Sequence, residues 1–377
     1  QFCGDRDATA WQNLDPCYRF RDGGSRRDGE RPGRAGQARA DEAEMMIGKT
    51  RQMLAECFGL GGDADRVVFS QNATNSLNMA IYGTVGPGDH LVITRIEHNS
   101  VLRPANHLER DSGVMVTRVG RDGSGYVDPD DIRQAITPKT RAVVVNHASN
   151  VLGSLQDIEA IGRVVGETDA IFIVDTCQTA GVVPIDMDGW GIDVLVFTGH
   201  KGLFGPMGIG GMIVRDGIAM RPSRVGGTGV DSISPLQPDD YPYRLEAGTP
   251  ALPGIAGLCA AQEWFAALGQ EQPGNGDMNA SHRDSCRAAM RRVAAREHAH
   301  IDRLLQVFDT LENVAVHGPR GNQPRVATLS VRFGDLPADL AASILDGDHS
   351  VCIRPGLHCA PLVHEDEGTI DCKGLVR

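Results

Sequence analysis

Seven short runs of β-branched and apolar residues between positions 66 and 214 limit the folds open to this chain more than any other feature. They read RVVFS, HLVITRI, VMVTRV, RAVVVNH, IFIVD, IDVLVFTG and IGGMIVR. Near-continuous Val and Ile in such a run implies a strand covered on both faces, because a strand with one wet face alternates apolar with polar residues. Helical stretches between the runs supply the cover. In LQDIEAIGRVVGE, for example, Ile158, Ile161, Val164 and Val165 fall on one side of a helix. The pattern predicts an α/β fold with a mostly parallel sheet, and in such sheets ligands bind beyond the carboxyl ends of the strands.

The texture changes elsewhere. Residues 18–39 carry seven arginines among Gly, Asp and Ser with no apolar period, which predicts a solvated loop or arm. Three acidic residues interrupt that stretch and no aromatic ladder accompanies it, so a nucleic-acid arm is the weaker reading. A helical pattern begins at residue 41. After PALPGIAGL comes a polar segment, residues 268–284, then the helical stretch AAMRRVAAREHAHIDRLLQVF, a strand in VATLSVRF, a helix in ADLAASILD, and SVCIRPGLHC as a strand running into a loop. The expected division is an arm over 1–40, a large domain over 41–255 and a smaller α/β domain over 256–377.

A chain of 377 residues exceeds the length at which one core usually divides. Its net charge of −12 disfavours nucleic acid and anionic membrane as main partners and favours a small molecule. The opening QFCGDRDATAW lacks a basic start and an apolar core, and no stretch approaches the ~18 apolar residues of a membrane helix, so a cytoplasmic chain is expected. Nine cysteines without a CxxC pair agree with reduced thiols.

The segment IFIVDTCQTAG followed by VLVFTGHKGLFGPMGIGG places Asp175 at the end of one buried run and Lys201 just beyond another. In a parallel sheet those ends share one edge, so a carboxylate and an amine can face one ligand. Pyridoxal phosphate requires that pair: a lysine to hold its aldehyde carbon and an acid to keep the ring nitrogen protonated. A lone lysine after a strand is more often a surface residue; strand context and flanking glycines tip the balance here.

At these residues the chain resembles the class V aminotransferase-like pyridoxal-phosphate enzymes, and within them the cysteine desulfurase and selenocysteine lyase group. The likeness runs from about residue 29 to the C-terminus. It implies a fold-type-I transferase, with a large domain on a seven-stranded-type sheet and a smaller C-terminal domain. It further implies that Lys201 in TGHK binds the cofactor, that Asp175 pairs with the pyridine nitrogen and Gln178 with the ring hydroxyl, and that His98 in RIEHNS stacks on the ring. Phosphate ligands would be Ala73 and Thr74 in QNATNSLN, at a helix N-terminus, with Thr198 and His200. Thr249 in EAGTP would reach the cofactor of a partner subunit in a homodimer, and Asn150 would lie near the substrate carboxylate and the ring hydroxyl.

IRPGLHCAP separates desulfurases from their aminotransferase relatives, because it resembles the group's Arg-x-Gly-x-x-Cys loop. By that likeness Arg354 grips the substrate carboxylate and Cys359 attacks the substrate sulfur; Arg354 and His358 lie nearby in sequence to favour the thiolate. A metal site built from Cys352, His358, Cys359, His364 and Cys372 is the weaker reading, since adjacent His and Cys cannot easily share one ion. The implied reaction converts L-cysteine to L-alanine and leaves a persulfide for a sulfur-acceptor protein. Selenocysteine lyase and class V aminotransferase chemistry remain alternatives. A catalytically impaired scaffold is the alternative of another class, favoured by departures from the family pattern: Asp5 to Thr9 match its opening loop only in part, Gln37 replaces a histidine, Cys177 replaces a small alanine, and Arg377 falls short of the last strand and helix of the small domain.

Overall fold

The computed structural model describes residues 38–271 and 280–377. Of the arm expected over 1–40 only residues 38–40 are described, so Asp5 to Thr9 and Gln37 lie outside, as does the middle of the polar segment 268–284. The first unit contains helices α1 (Ala38–Phe58), α2 (Ala73–Thr84), α3 (Asn99–Ser112), α4 (Pro129–Ala135), α5 (Ile158–Val165) and α6 (Leu252–Gln270). Its strands are β1 (Val67–Ser70), β2 (His90–Thr94), β3 (Met115–Val119), β4 (Thr140–Asn146), β5 (Ile171–Asp175), β6 (Val194–Thr198) and β7 (Gly210–Val214). Each of the seven apolar runs coincides with one of these strands, β4 starting one residue ahead of its run.

The seven strands form one sheet in the order β1-β7-β6-β5-β4-β2-β3. Neighbours from β3 to β6 are parallel, whereas β7 runs antiparallel to both β6 and β1. Strand alternation feeds two cores. Leu195 and Phe197 join Leu54 and Phe58 of α1, Ile161 of α5 and Ile255 of α6 on one face, while Val194 and Val196 join Leu77 of α2 and Val101 of α3 on the other. Burial on both faces is why these strands lack a polar alternation; only the edge strand β3 is largely open, and it carries Thr117 and Arg118. Ile158, Ile161, Val164 and Val165 of α5 all enter the core, as their spacing predicts.

The C-terminal part contains helices α7 (His282–Phe308), α8 (Ala338–His349) and α9 (Pro361–Asp366), and strands β8 (Val314–His317), β9 (Ser330–Phe333), β10 (Pro355–Gly356) and β11 (Leu375–Val376). These strands make an antiparallel sheet ordered β10-β11-β9-β8. The run SVCIRPGLHC, expected as a strand running into a loop, pairs with the C-terminal strand only from Arg354 to Gly356. Pro355 lacks an N–H for a ladder and the backbone turns left-handed at His358, so the strand stops early. Helix α7 packs back on α6 and α1, where Cys57, Phe265, Cys286 and Met290 form a separate small core. Among the described residues no helix is long and apolar enough to cross a membrane.

Candidate active site

Strands β5 and β6 are parallel neighbours with Asp175 opposite Val196, so their carboxyl ends open on the same edge of the sheet. The loops beyond them touch backbone to backbone. Gly181 has a φ of 85°, and a Cβ on it would lie 2.0 Å from the Gly202 carbonyl oxygen; a Cβ on Gly202 would lie 2.5 Å from that of Ala180. Only glycine permits this approach, and it fixes Lys201 relative to Asp175. Asp175 is buried and accepts the Cys177 N–H at 2.9 Å.

A cavity of about 210 Å³ opens at this edge. Lys201, Asp175, Gln178, Thr198 and His200 line it from the β5 and β6 loops, and Ala73 and Thr74 from the first turn of α2. His98, which caps α3, and Asn150, beyond β4, complete the set of expected residues on its wall. Asn72 caps α2 by accepting the Asn75 N–H at 3.0 Å, so the amides of Ala73 and Thr74 come earlier in the turn, where helix N–H groups have no intrahelical partner. Thr198 Oγ1 and His200 Nδ1 are 2.9 Å apart, which ties two wall residues together.

His98 Nδ1 accepts the Ser100 N–H at 3.1 Å and lies 2.6 Å from Ser100 Oγ, which leaves Nε2 as the nitrogen free for a ligand. Burial lowers its pKa, opposed by Asp175 and reinforced by Lys201 and Arg354, so the ring is neutral at physiological pH. Behind it Glu97 is fully buried and its carboxyl is pushed up to about 8, chiefly by burial. Its Oε1 accepts from Thr94 Oγ1 at 2.6 Å and from the Asn146 N–H at 2.9 Å. Two amide oxygens of cavity residues, Asn146 Oδ1 and Asn150 Oδ1, are buried and find no hydrogen-bond donor among the described residues. Buried acceptors are costly unless a ligand or water supplies a donor.

Cys359, Arg354 and Thr249 are not on the cavity wall. The Cys359 loop lies beside it: the Asn99 N–H, adjacent to His98, donates to the Cys359 carbonyl at 2.7 Å, and Asn150 Nδ2 donates to the His358 carbonyl at 2.6 Å. Arg354 Nη2 is 3.9 Å from Cys359 Sγ. His358, expected to favour the thiolate, is not a cation here. Burial, with Arg377 and His364 nearby, pushes its pKa down to about 3, and its Nε2 donates to the Leu375 carbonyl at 3.1 Å. The positive groups near the sulfur are arginines: Arg354, and Arg377, which Cys359 also influences electrostatically. Thr249 is exposed on a loop anchored at Glu246, which pairs with Arg51 at 2.9 Å and accepts the Phe69 N–H at 2.6 Å.

Sequence reasoning missed Asn146, Ser100 and Arg377. Asn146 ends β4 as Asp175 ends β5, so the strand-end argument could have found it. Arg377 could not be found that way: it donates from Nη1 to the Asn150 carbonyl at 2.7 Å and pairs through its backbone with Arg354, contacts that only the small sheet creates. Among the described residues no three His, Cys, Asp or Glu side chains are grouped as metal ligands.

Comparison with known proteins agrees with this architecture. The family model described as "Aminotransferase class-V" matches residues 29–377. A probable cysteine desulfurase of Methanothermobacter thermautotrophicus is 30% identical over 322 residues, which cover 82% of this chain and 75% of the relative. Probable cysteine desulfurase 2 of Mycobacterium leprae is 30% identical over 319 residues, 81% of this chain and 70% of the relative. An apo cysteine desulfurase from Thermococcus onnurineus superposes with a TM-score of 0.80 at 29% identity, covering 92% of this chain and 82% of the other. With a sheet edge that presents a lysine and a carboxylate to one cavity, and a family match over nearly the whole length, this chain belongs to the class V aminotransferase family.

Proposed function

We propose that the protein is a pyridoxal-phosphate-dependent cysteine desulfurase that converts L-cysteine to L-alanine and retains the sulfur as a persulfide on Cys359. The observation that carries this reading is the joint placement of Lys201, Asp175 and His98 on one cavity, with the Arg354–Cys359 loop hydrogen-bonded to Asn150 of its wall and to Asn99 next to His98. The residues fit the cofactor. A lysine and a carboxylate stand at adjacent strand ends, a helix N-terminus faces the same cavity, and buried amide oxygens await a donor. The relatives' names point to the same activity.

Pyridoxal phosphate, when bound, supplies an electron sink for the bond broken at the substrate α-carbon. Lys201 Nζ would hold the cofactor and move the α-proton of the substrate. Asp175 would keep the ring nitrogen charged, Gln178 would bind the ring hydroxyl, and neutral His98 would pack against the ring. Ala73, Thr74, Thr198 and His200 would hold the phosphate. Arg354 takes the substrate carboxylate, with Arg377 and Asn150 behind it. Cys359 Sγ attacks the substrate sulfur, the carbon–sulfur bond breaks, and the carbon fragment takes up a proton and leaves as alanine. Cysteine and the enzyme thiol thus give alanine and the enzyme persulfide, with no other oxidant or reductant, and an acceptor protein removes the sulfur.

A two-fold homodimer belongs to this reading, with Thr249 reaching the partner's cofactor phosphate. Exposed apolar side chains support it: Met207 is 85% exposed, Val225 70%, Ile233 96% and Leu236 77%, all between Lys201 and Thr249 in sequence. A two-fold contact over this stretch would cover them, whereas scattered singly they would be ordinary surface residues. Alanine release from L-cysteine by the purified, cofactor-loaded protein, with the extra sulfur mapped to Cys359, tests the function. Cofactor binding without alanine release overturns it in favour of aminotransferase chemistry.

A further inference from the structure

The loop that carries Cys359 is held in an unfavourable conformation. His358 and Cys359 have φ values of 49° and 61°, two consecutive non-glycine residues in the left-handed region that L side chains resist. Such a turn persists only where surrounding contacts fix it. Within the small unit His358 Nε2 donates to the Leu375 carbonyl at 3.1 Å, and the Ala360 N–H to that of Leu357 at 3.0 Å. The large unit adds the Asn99 N–H to the Cys359 carbonyl, a backbone contact, and Asn150 Nδ2 to the His358 carbonyl at 2.6 Å, a side-chain contact.

Asn150 faces two ways. It is 4% exposed, it lines the cavity, and its Oδ1 is buried without a donor among the described residues while its Nδ2 holds the loop. Its own carbonyl accepts from Arg377 Nη1 at 2.7 Å, and Arg377 pairs with Arg354 through both backbone groups, so the strand leading to the loop converges on the same residue. A planar amide cannot reorient one end without moving the other. The ring hydroxyl of pyridoxal phosphate, accepting from Gln178 on the same wall, would donate to Oδ1 and so fix the direction of Nδ2, and with it the His358 carbonyl and the turn at Cys359.

We infer that Asn150 is a positioning residue that couples occupancy of the cavity to the conformation of the Cys359 loop. This rests on the proposed function only for the identity of the ligand, pyridoxal phosphate; the coupling itself requires no turnover. Hydrogen–deuterium exchange of the wild-type peptide spanning residues 354–361 should slow at least several-fold when the protein is loaded with pyridoxal phosphate. Unchanged exchange in protein shown by absorbance to be loaded would overturn the inference, whatever the variants do. Asn150→Asp keeps an oxygen toward the cavity but replaces the donor to His358 by an acceptor. At saturating cofactor its 354–361 peptide should exchange as fast as in the cofactor-free protein, and iodoacetamide should alkylate Cys359 several-fold faster than in wild type.

Buried Cys57 reports on folding: it must stay unreactive in the variant, and if it reacts the wild-type exchange comparison decides. Retained ligand-dependent protection in folded Asn150→Asp would also sink the inference. A merely structural asparagine would change exchange in both ligand states alike. If loaded wild-type protein shows the protection yet releases no alanine, the proposed function falls and this coupling stands.

Discussion

The two halves of the candidate site are built in opposite ways. Lys201 and Asp175 extend from adjacent strands whose residues are buried on both faces, and their loops lock through a glycine-to-glycine contact that admits no Cβ. Cys359 sits on a short left-handed turn that leaves a two-residue strand and meets the large unit through a few hydrogen bonds. On the proposed function, a group that must hold a cofactor in one geometry is placed where the core fixes it. A group that must receive sulfur and then present it to an acceptor is placed on a segment with few constraints to break.

The comparison breaks most sharply at Lys201. Lys201→Ala should lower alanine formation by about 10³-fold or more, in the upper part of the range for loss of a positioned proton-transfer group, and should abolish the visible absorbance of the lysine-bound cofactor. Absorbance spectra with an alanine assay check both. If the halves are separable, Cys359→Ser should retain that absorbance and its change on adding cysteine while alanine formation from cysteine collapses. Selenocysteine, with its weaker carbon–selenium bond, should remain a substrate. Turnover of cysteine by Cys359→Ser at the wild-type rate would remove the loop from the mechanism.

A stability measurement sharpens the rigid half. Glu97 has a folded-state pKa of about 8, raised above its unfolded value by burial and, to a smaller degree, by Asp175. Its contribution to stability is therefore complete below the unfolded carboxylate pKa and is lost as pH rises through about 8. Between about pH 5 and 9 the wild type should lose a few kcal/mol relative to Glu97→Gln, at ~1.4 kcal/mol for each pH step over which the fold keeps a proton that the unfolded chain has released. Urea unfolding of both proteins across that range measures it; parallel curves would mean that Glu97 is ionised in the fold. The smallest effect is expected at Thr249, which lies on neither half within one chain. Thr249→Ala should weaken cofactor affinity only a few-fold, about the loss of one hydrogen bond at ~1 kcal/mol, and only in protein that sediments as a dimer.

The rigid half was legible in sequence because its logic is local. Val and Ile runs mark strands, strand ends mark the ligand edge, and Asp175, Lys201, Thr198 and His200 stand at those ends. Asn146 obeys the same rule and was overlooked. The loop half was legible only as a motif: IRPGLHCAP pointed to Arg354 and Cys359 but could not show that His358 is buried and neutral, since that depends on how the loop folds against β11 and α9.

Sequence alone determined the parallel core, the ligand edge and the candidate nucleophile, because apolar period, strand-end chemistry and a short motif are properties of contiguous residues. Tertiary structure decided three other matters: that β7 turns antiparallel beside β1, that His358 is neutral, and that Asn150 and Arg377 join the cysteine loop to the cavity. Each depends on groups that no contiguous stretch brings together: β7 and β1 meet only when the large sheet forms, His358 is buried only when its loop folds back on β11, and Asn150 and Arg377 meet the loop only once the two sheets have met.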